Sequence, residues 1–298
     1  MNDAEMTRRS RNAAKQAFGN SSTVQATYVS QYPVSMEREY IRVTNTYMTL
    51  LNLTLKDHLP TICKIISAER GIRHDGAEEA RNLISHVFLK INEAFEKRAA
   101  RFGLGRKIQD LADRCQKLSI WQWKRTVKRT LGMNISENHY LGEFFRGNLN
   151  QWTQRNVDLI KTIPKNTLTD MKRIVEDGFT AGKTNTAIGK EIQAKYALER
   201  HHAQFIARDQ MAKLNCEMTR EQHRDAGVEA YVWSSSGDEK VRKRHAYLDG
   251  KTFKWSEPPI VDLRTGRRAA PGQDFQCRCV ALPKFNLSEL SLPWEDKP

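Results

Sequence analysis

The sequence predicts an α+β protein: a mainly α-helical N-terminal region followed by a small α+β C-terminal domain with a short antiparallel sheet. Three observations carry this expectation. Apolar residues recur three or four apart over most of the chain between Met36 and Gly227, as one face of a helix requires. After Gly227 the period falls toward two, with Glu229, Tyr231 and Trp233 alternating with Ala230 and Val232. Hydrophobic residues make up 39% of the 298, enough to build a core.

Residues 1–35 mix Arg, Ser, Asn, Gln and Thr with little apolar periodicity, which predicts a flexible basic arm closed by Pro33. A helical domain over 36–160 follows. Its first helix carries Met36, Tyr40, Val43, Tyr47, Leu50 and Leu51 on one side; Pro60 is expected to kink or end it, with a resumption through Ile62, Ile65 and Ile66 to a stop at Gly71. A second helix spans Gly76 to Ala100 with Leu83, Ile84, Val87, Phe88, Ile91 and Phe95 inward, and Gly103 and Gly105 break it. These two helices make an antiparallel pair. A third runs from Arg106 to Leu131, with Ile108, Leu111, Cys115 and Leu118 on its buried side. An aromatic cluster of Tyr140, Phe144, Phe145 and Trp152 comes next, and Pro164 is expected to close a helical turn near a soft domain boundary.

The second domain covers 161–283. Short amphipathic helices are expected up to Gly178 and again through Ile188, Ile192 and Tyr196, the latter capped by Thr184 or Thr186. A long helix from Leu198 stops at Gly227; strands follow at Glu229 to Trp233, Thr252 to Trp255 and Phe275 to Leu282, with a loop over Trp255 to Gln273. Residues 284–298 read as an extended tail.

The net charge of +14 is concentrated in the helical part. Lys97 to Arg129 holds eleven basic residues against Asp110 and Asp113 alone. Within it Arg114, Lys117, Trp121, Lys124, Arg125 and Lys128 recur at helical spacing away from the apolar side. Cations around one aromatic suit a polyanion, and double-stranded DNA is the natural candidate. The same stripe also fits a solvated helix face or the docking site of an acidic protein, with Trp121 filling a groove and the Lys and Arg stems lying around it. No run of about 18 apolar residues and no apolar signal-peptide centre occur, so no membrane partner and a cytoplasmic place of synthesis are expected.

Cys63, Cys115, Cys216, Cys277 and Cys279 are an odd, scattered set, which predicts reduced thiols. The strongest chemical constellation is Asp238, His245, Cys277 and Cys279. Extended residues two apart face one side, so both thiols can approach one ion; His245 adds a nitrogen and Asp238 an oxygen, a set that zinc accepts. The alternative reading is structural, with Asp238 capping a turn, His245 bonded across the sheet and the thiols filling a small core. No P-loop, Gly-x-Ser-x-Gly or His-Glu-x-x-His occurs, so no catalytic residue is assigned, and zinc aside no cofactor is expected.

From Ala207 to Pro283 the chain strings together a long helix with Arg208 and Asn215, a Gly stop, a Tyr-x-Trp strand with Trp233, Asp238-x-x-Val-Arg242-x-x-His245, Leu-Asp-Gly250 and Cys277-Arg278-Cys279. This order resembles the C-terminal domain of tailed-phage minor head proteins, the head morphogenesis family typified by phage Mu protein F. Family members commonly carry Arg-Thr-Glu where this chain has Arg208-Asp209-Gln210. The resemblance implies a non-enzymatic virion protein acting in head morphogenesis, at the portal vertex or on packaged DNA. Its implied partners are the portal protein and a major head or scaffold protein, with the host cytoplasm as the site of assembly. A metal-dependent, nuclease-like DNA-processing enzyme using Asp238, His245, Cys277 and Cys279 is the alternative.

Overall fold

The structure is a computed structural model, and it describes residues 3–19, 21–69 and 77–294. The helix stop expected at Gly71, the start expected at Gly76 and residues 295–298 of the expected tail lie outside them. Two compact units emerge: residues 1–37, 111–152 and 208–298 form one, and residues 38–110 and 153–207 the other. They do not follow the expected sequential division into 36–160 and 161–283, because each of four long helices contributes residues to both units.

The second unit is a helical bundle built from α2 (Val34–Glu69), α3 (Ala77–Phe102), the start of α4 (Leu104–Leu131), and parts of α6 (Glu143–Thr180) and α7 (Asn185–Asp225). Gly103, at φ +65°, makes the turn between α3 and α4, whereas Gly105 lies inside α4. Cross-helix contacts fix the directions. Arg98 reaches Thr54 at 3.0 Å and Asp57 at 2.6 Å while Phe102 meets Tyr47, so α2 and α3 are antiparallel as expected. Arg81 bonds Thr180 and Ser85 bonds Glu176, setting α3 against α6 in the same sense. Lys195 of α7 ties to Asp170 of α6 at 2.6 Å, and Tyr40 donates to Asn156 at 2.9 Å.

Both prolines expected to interrupt helices sit inside them, Pro60 in α2 and Pro164 in α6. An internal proline costs about 3 kcal/mol. Around Pro60 the stripe of Met48, Leu51, Leu55, Ile62 and Ile66 is buried, and around Pro164 that of Ile160, Ile163, Leu168, Met171 and Val175. At roughly 1.5–3 kcal/mol per buried side chain, either stripe outweighs its proline. The separate short helix after Thr184 and the long helix from Leu198 are likewise one helix, α7, whose N-cap is Thr184: its hydroxyl accepts the Ala187 amide at 3.1 Å.

The first unit holds a four-stranded antiparallel sheet in the order β1 (Thr23–Gln25), β6 (Val280–Asn286), β2 (Ala230–Ser234), β3 (Thr252–Lys254). In the β2/β6 register Tyr231 lies opposite Pro283 and Trp233 opposite Ala281. Alternation therefore puts Tyr231 and Trp233 on one face and Val232, beside Val280 and Leu282, on the other. Ile120, Trp123, Val127 and Leu131 of α4 pack with Tyr140, Phe285 and Leu290 in a second cluster. The loop expected over Trp255 to Gln273 contains a hairpin of β4 (Ile260–Asp262) and β5 (Arg267–Arg268). Between these elements lie the short helices α5 (Glu137–Tyr140) and α8 (Lys243–Leu248).

Both chain-end expectations need correction. The segment expected to be a flexible arm forms α1 (Asp3–Phe18) and β1, with Ser10, Ala14 and Ala26 buried. The expected tail begins with the last residues of β6 and then buries Leu287, Leu290 and Leu292. Strand β1 gains its place through main-chain pairing with β6, an interaction that leaves no mark in apolar periodicity. At Gly227 the stop after α7 has a physical cause: φ is +73°, and an added Cβ would lie 2.1 Å from the Glu289 carbonyl oxygen.

Candidate functional site

The first unit brings His245, Cys277 and Cys279 together, all three buried. Helix α8 positions the histidine. At its end the Leu-Asp-Gly turn folds back on β2: Gly250, at φ +73°, donates its amide to Trp233 O at 2.8 Å, and the Asp249 carboxylate accepts the Ser235 amide at 2.7 Å. This turn sets the His245 ring edge-on to Trp233, with centroids 5.2 Å apart.

The cysteines come from the loop that precedes β6. There Gln276 holds a positive φ of 50°, unusual for a residue with a side chain. Its amide is pinned to the Asp209 carboxylate at 3.0 Å, and that carboxylate also pairs with Lys213 at 2.6 Å. The Cys277 amide closes a turn onto Asp274 O at 3.1 Å. As a result the Cys277 Sγ lies 3.4 Å and the Cys279 Sγ 3.7 Å from His245 Nδ1, and the Gly272 amide donates to Cys277 Sγ at 3.4 Å.

The other ring nitrogen, Nε2, meets the Asp274 carboxylate at 3.1 Å. That carboxylate is buried and also pairs with Arg267 at 2.9 Å and Arg242 at 3.3 Å. Burial alone would raise the Asp274 carboxyl, but His245 and the two guanidiniums hold it below the usual range. Burial likewise opposes a charge on His245, and its hydrogen bonds to Asp274 and Cys277 outweigh that, lifting its pKa to about 9. The Cys279 thiol donates toward Cys277, so Cys277 is pushed down and Cys279 up: the pair favours one thiolate beside one thiol.

A polar cavity of about 230 Å³ opens on this group, lined also by Arg208, Ser236, Asp238, Arg242 and Arg278. The Asp238 carboxylate pairs with Arg278 at 2.9 Å and accepts the Lys240 amide at 3.0 Å, so it is not one of the converging donors. Arg208 faces Glu37 at 3.8 Å, and Arg242 also donates to Phe275 O at 2.6 Å. Asn215 lies half-buried on α7, where its carbonyl accepts the Thr219 hydroxyl. Sequence reasoning missed two residues here, Asp274 and Asp209. A signal for the first was available: an inward histidine needs a partner for its second nitrogen, and Asp274 is the carboxylate nearest in sequence to the Cys pair.

The basic stripe lies on α4 in the same unit. Arg114, Lys117, Trp121 and Lys128 are exposed, while Lys124 and Arg125 are half-buried. Trp121 is 52% exposed and does not fill a groove. The Arg125 guanidinium stands over its ring at 5.2 Å and over the Tyr28 ring at 5.1 Å. Lys124 pairs with Glu137 at 3.1 Å. Among the described residues no helix is long and apolar enough to cross a membrane.

A protein of Haemophilus influenzae (strain Rd), described as uncharacterized, is 28% identical over 215 residues, covering 72% of this chain. The chain spans about half the length of that relative, 47% of it. No solved structure matches the chain. Residues 169–282 match the family described as phage Mu protein F like protein, a span that holds α7, the β2–α8 turn and the Cys277-Arg278-Cys279 loop.

Proposed function

We propose that the protein is a minor head component of a tailed phage, acting in head morphogenesis at the portal vertex or on packaged DNA. The observation that carries this reading is the family match over residues 169–282. In this account the C-terminal domain docks on the portal protein or on a major head or scaffold protein, and the α4 stripe contacts DNA phosphate. Exposure of Lys117, Trp121 and Lys128 supports that division. Mass spectrometry of heads purified after induction of the encoding phage or prophage tests it. The chain should be present in fewer copies than the major head protein; its absence from heads at every stage would refute the reading. Lys117→Glu with Lys128→Glu should weaken duplex DNA binding and lower its salt slope by about 0.9 per lost phosphate contact. An unchanged slope would move the stripe from DNA to a protein partner.

The convergence of His245, Cys277 and Cys279 favours, as a second reading, a metal-dependent DNA-processing enzyme. It predicts nicking of supercoiled plasmid in the presence of zinc or magnesium, abolished in His245→Ala. A plasmid left intact by the wild type would leave the structural role standing.

A further inference from the structure

We infer that His245 Nδ1 and the thiolates of Cys277 and Cys279 bind one Zn²⁺, with the fourth tetrahedral position open to the cavity beside them. The inference goes beyond the head role and does not depend on it. Geometry is the first support. Zinc bonds of about 2.3 Å to sulfur and about 2.0–2.1 Å to nitrogen, at tetrahedral angles, require S···N edges of about 3.6 Å. The two edges here are 3.4 and 3.7 Å, and all three donor atoms lie within 4.8 Å of one another. One ion can therefore sit against the three with little movement of the chain.

Orientation is the second support. A ligating histidine characteristically gives its other ring N–H to a carboxylate, which fixes tautomer and ring plane. Asp274 occupies that place at 3.1 Å from Nε2, leaving Nδ1 turned toward both sulfurs. Asp274 is in turn fixed by Arg267 and Arg242. Gly272 adds an amide hydrogen bond to the Cys277 sulfur, a contact that favours thiolate.

Charge is the third. Zn²⁺ with two thiolates and a neutral imidazole has no net charge, so the buried site can be filled without leaving an uncompensated ion. Two sulfurs and a nitrogen suit zinc rather than magnesium or calcium, which prefer oxygen. Binding displaces whatever protons the two sulfurs and Nδ1 carry into solvent. Asp238 is held by Arg278 on the cavity wall, so three protein donors remain and solvent completes the tetrahedron.

Zinc content of the full chain, purified reduced and without chelators, should be one equivalent. Replacement by Co²⁺ should give thiolate-to-metal charge transfer in the near ultraviolet together with intense tetrahedral d–d bands, and azide should shift the d–d bands by displacing solvent. Cys277→Ser with Cys279→Ser should lose the metal, whereas Cys63→Ser, on α2, should retain it. Asp274→Asn should keep the stoichiometry at saturating zinc but weaken affinity 10–100-fold. Zinc far below one equivalent with no cobalt charge-transfer band would overturn the site, as would full zinc content in the double cysteine variant. A cobalt spectrum indifferent to azide would overturn the open position. Should the double variant fail to fold, the wild-type cobalt spectrum still decides, because charge transfer requires cysteine sulfur on the metal.

Discussion

Around His245 the interacting side chains come from stretches of chain far apart in sequence, at 209–213, Trp233, 242–245, Arg267 and 274–279, whereas the basic stripe of α4 comes from a single helix. The first region is buried and each contact fixes another: Asp209 holds Gln276, which turns Cys277 toward a histidine aimed by Asp274. The second is largely solvated, with local contacts such as Lys124 with Glu137 and Arg125 over the Trp121 and Tyr28 rings. Interlocked buried polar groups are costly to disturb one at a time, and exposed charges are not. Stability should therefore be concentrated at the first region, and salt-dependent association at the second.

The largest difference should appear on removing the carboxylate that the first region is arranged around. Asp274→Ala leaves His245 and two guanidiniums facing an empty place, and should cost about 3 kcal/mol in urea unfolding, near the lower end for breaking a buried pair because Arg242 and Arg267 are partly exposed. A loss below about 1 kcal/mol would erase the contrast between the regions.

A second measurement asks whether burial also governs acid sensitivity. His223 is buried between Trp123 and Trp255, and its Nδ1 accepts the Trp255 indole N–H at 3.2 Å. Burial pushes its pKa down from 6.5 to about 3. Above pH 6.5 both the folded and unfolded chains carry it neutral, and it contributes no pH dependence. Below pH 6.5 the unfolded chain takes up the proton and the folded chain does not, so stability falls by about 1.4 kcal/mol per pH unit toward pH 3. Between pH 6.5 and 5 the loss should be about 1.6 kcal/mol, and His223→Gln should flatten it. An equal slope in that variant would assign the acid sensitivity to other groups.

The smallest effects belong to α4. Lys117→Ala and Lys128→Ala should each change stability by no more than about 0.5 kcal/mol. Trp121→Ala should cost under about 1 kcal/mol, mostly the cation–π contact with Arg125. Larger losses would show that the stripe is part of the core.

The same contrast governs what could be read from the sequence. Helix α4 shows its own period, so Ile108, Leu111 and Cys115 were legible as buried and Arg114, Lys117 and Lys128 as exposed, whereas for Trp121 the sequence also allowed a groove that the structure does not show. The Thr184 cap, the Gly227 stop and the alternation of Tyr231 and Trp233 are likewise local signals, and the structure bears out each. Where non-local packing decides, the signals misled. Pro60 read as a kink or an end and Pro164 as an end because their cost is local, while the burial that offsets it, of apolar stripes on the same two helices, depends on packing against other elements. Cys277 and Cys279 could be paired with His245 on residue chemistry, and Asp274 by its nearness to them, but Asp209 enters only through the turn at Gln276, whose positive φ no pattern announces. Strand β1 was hidden for a related reason: three residues with a partner more than 250 positions away.

That distant partnership has a consequence for how the protein is made. Thr23 to Gln25 pair with Lys284 to Asn286, Ser10 donates to Leu290 O, and Thr7 meets Ser291. Strand β1 shields the edge of β6, and β6 stands between it and β2, so the strand of this sheet made last fills the place between the two made first. While a ribosome is still translating, β1 has nothing to pair with and β2 lacks its central neighbour. The helical segments can compact as they emerge, but the sheet closes only after Asn286 has left the exit tunnel, by a loop closure between Thr23 and Asn286. Prematurely terminated products would thus present unpaired strand edges, and quality control in the producing cell has a natural criterion for telling them from finished molecules.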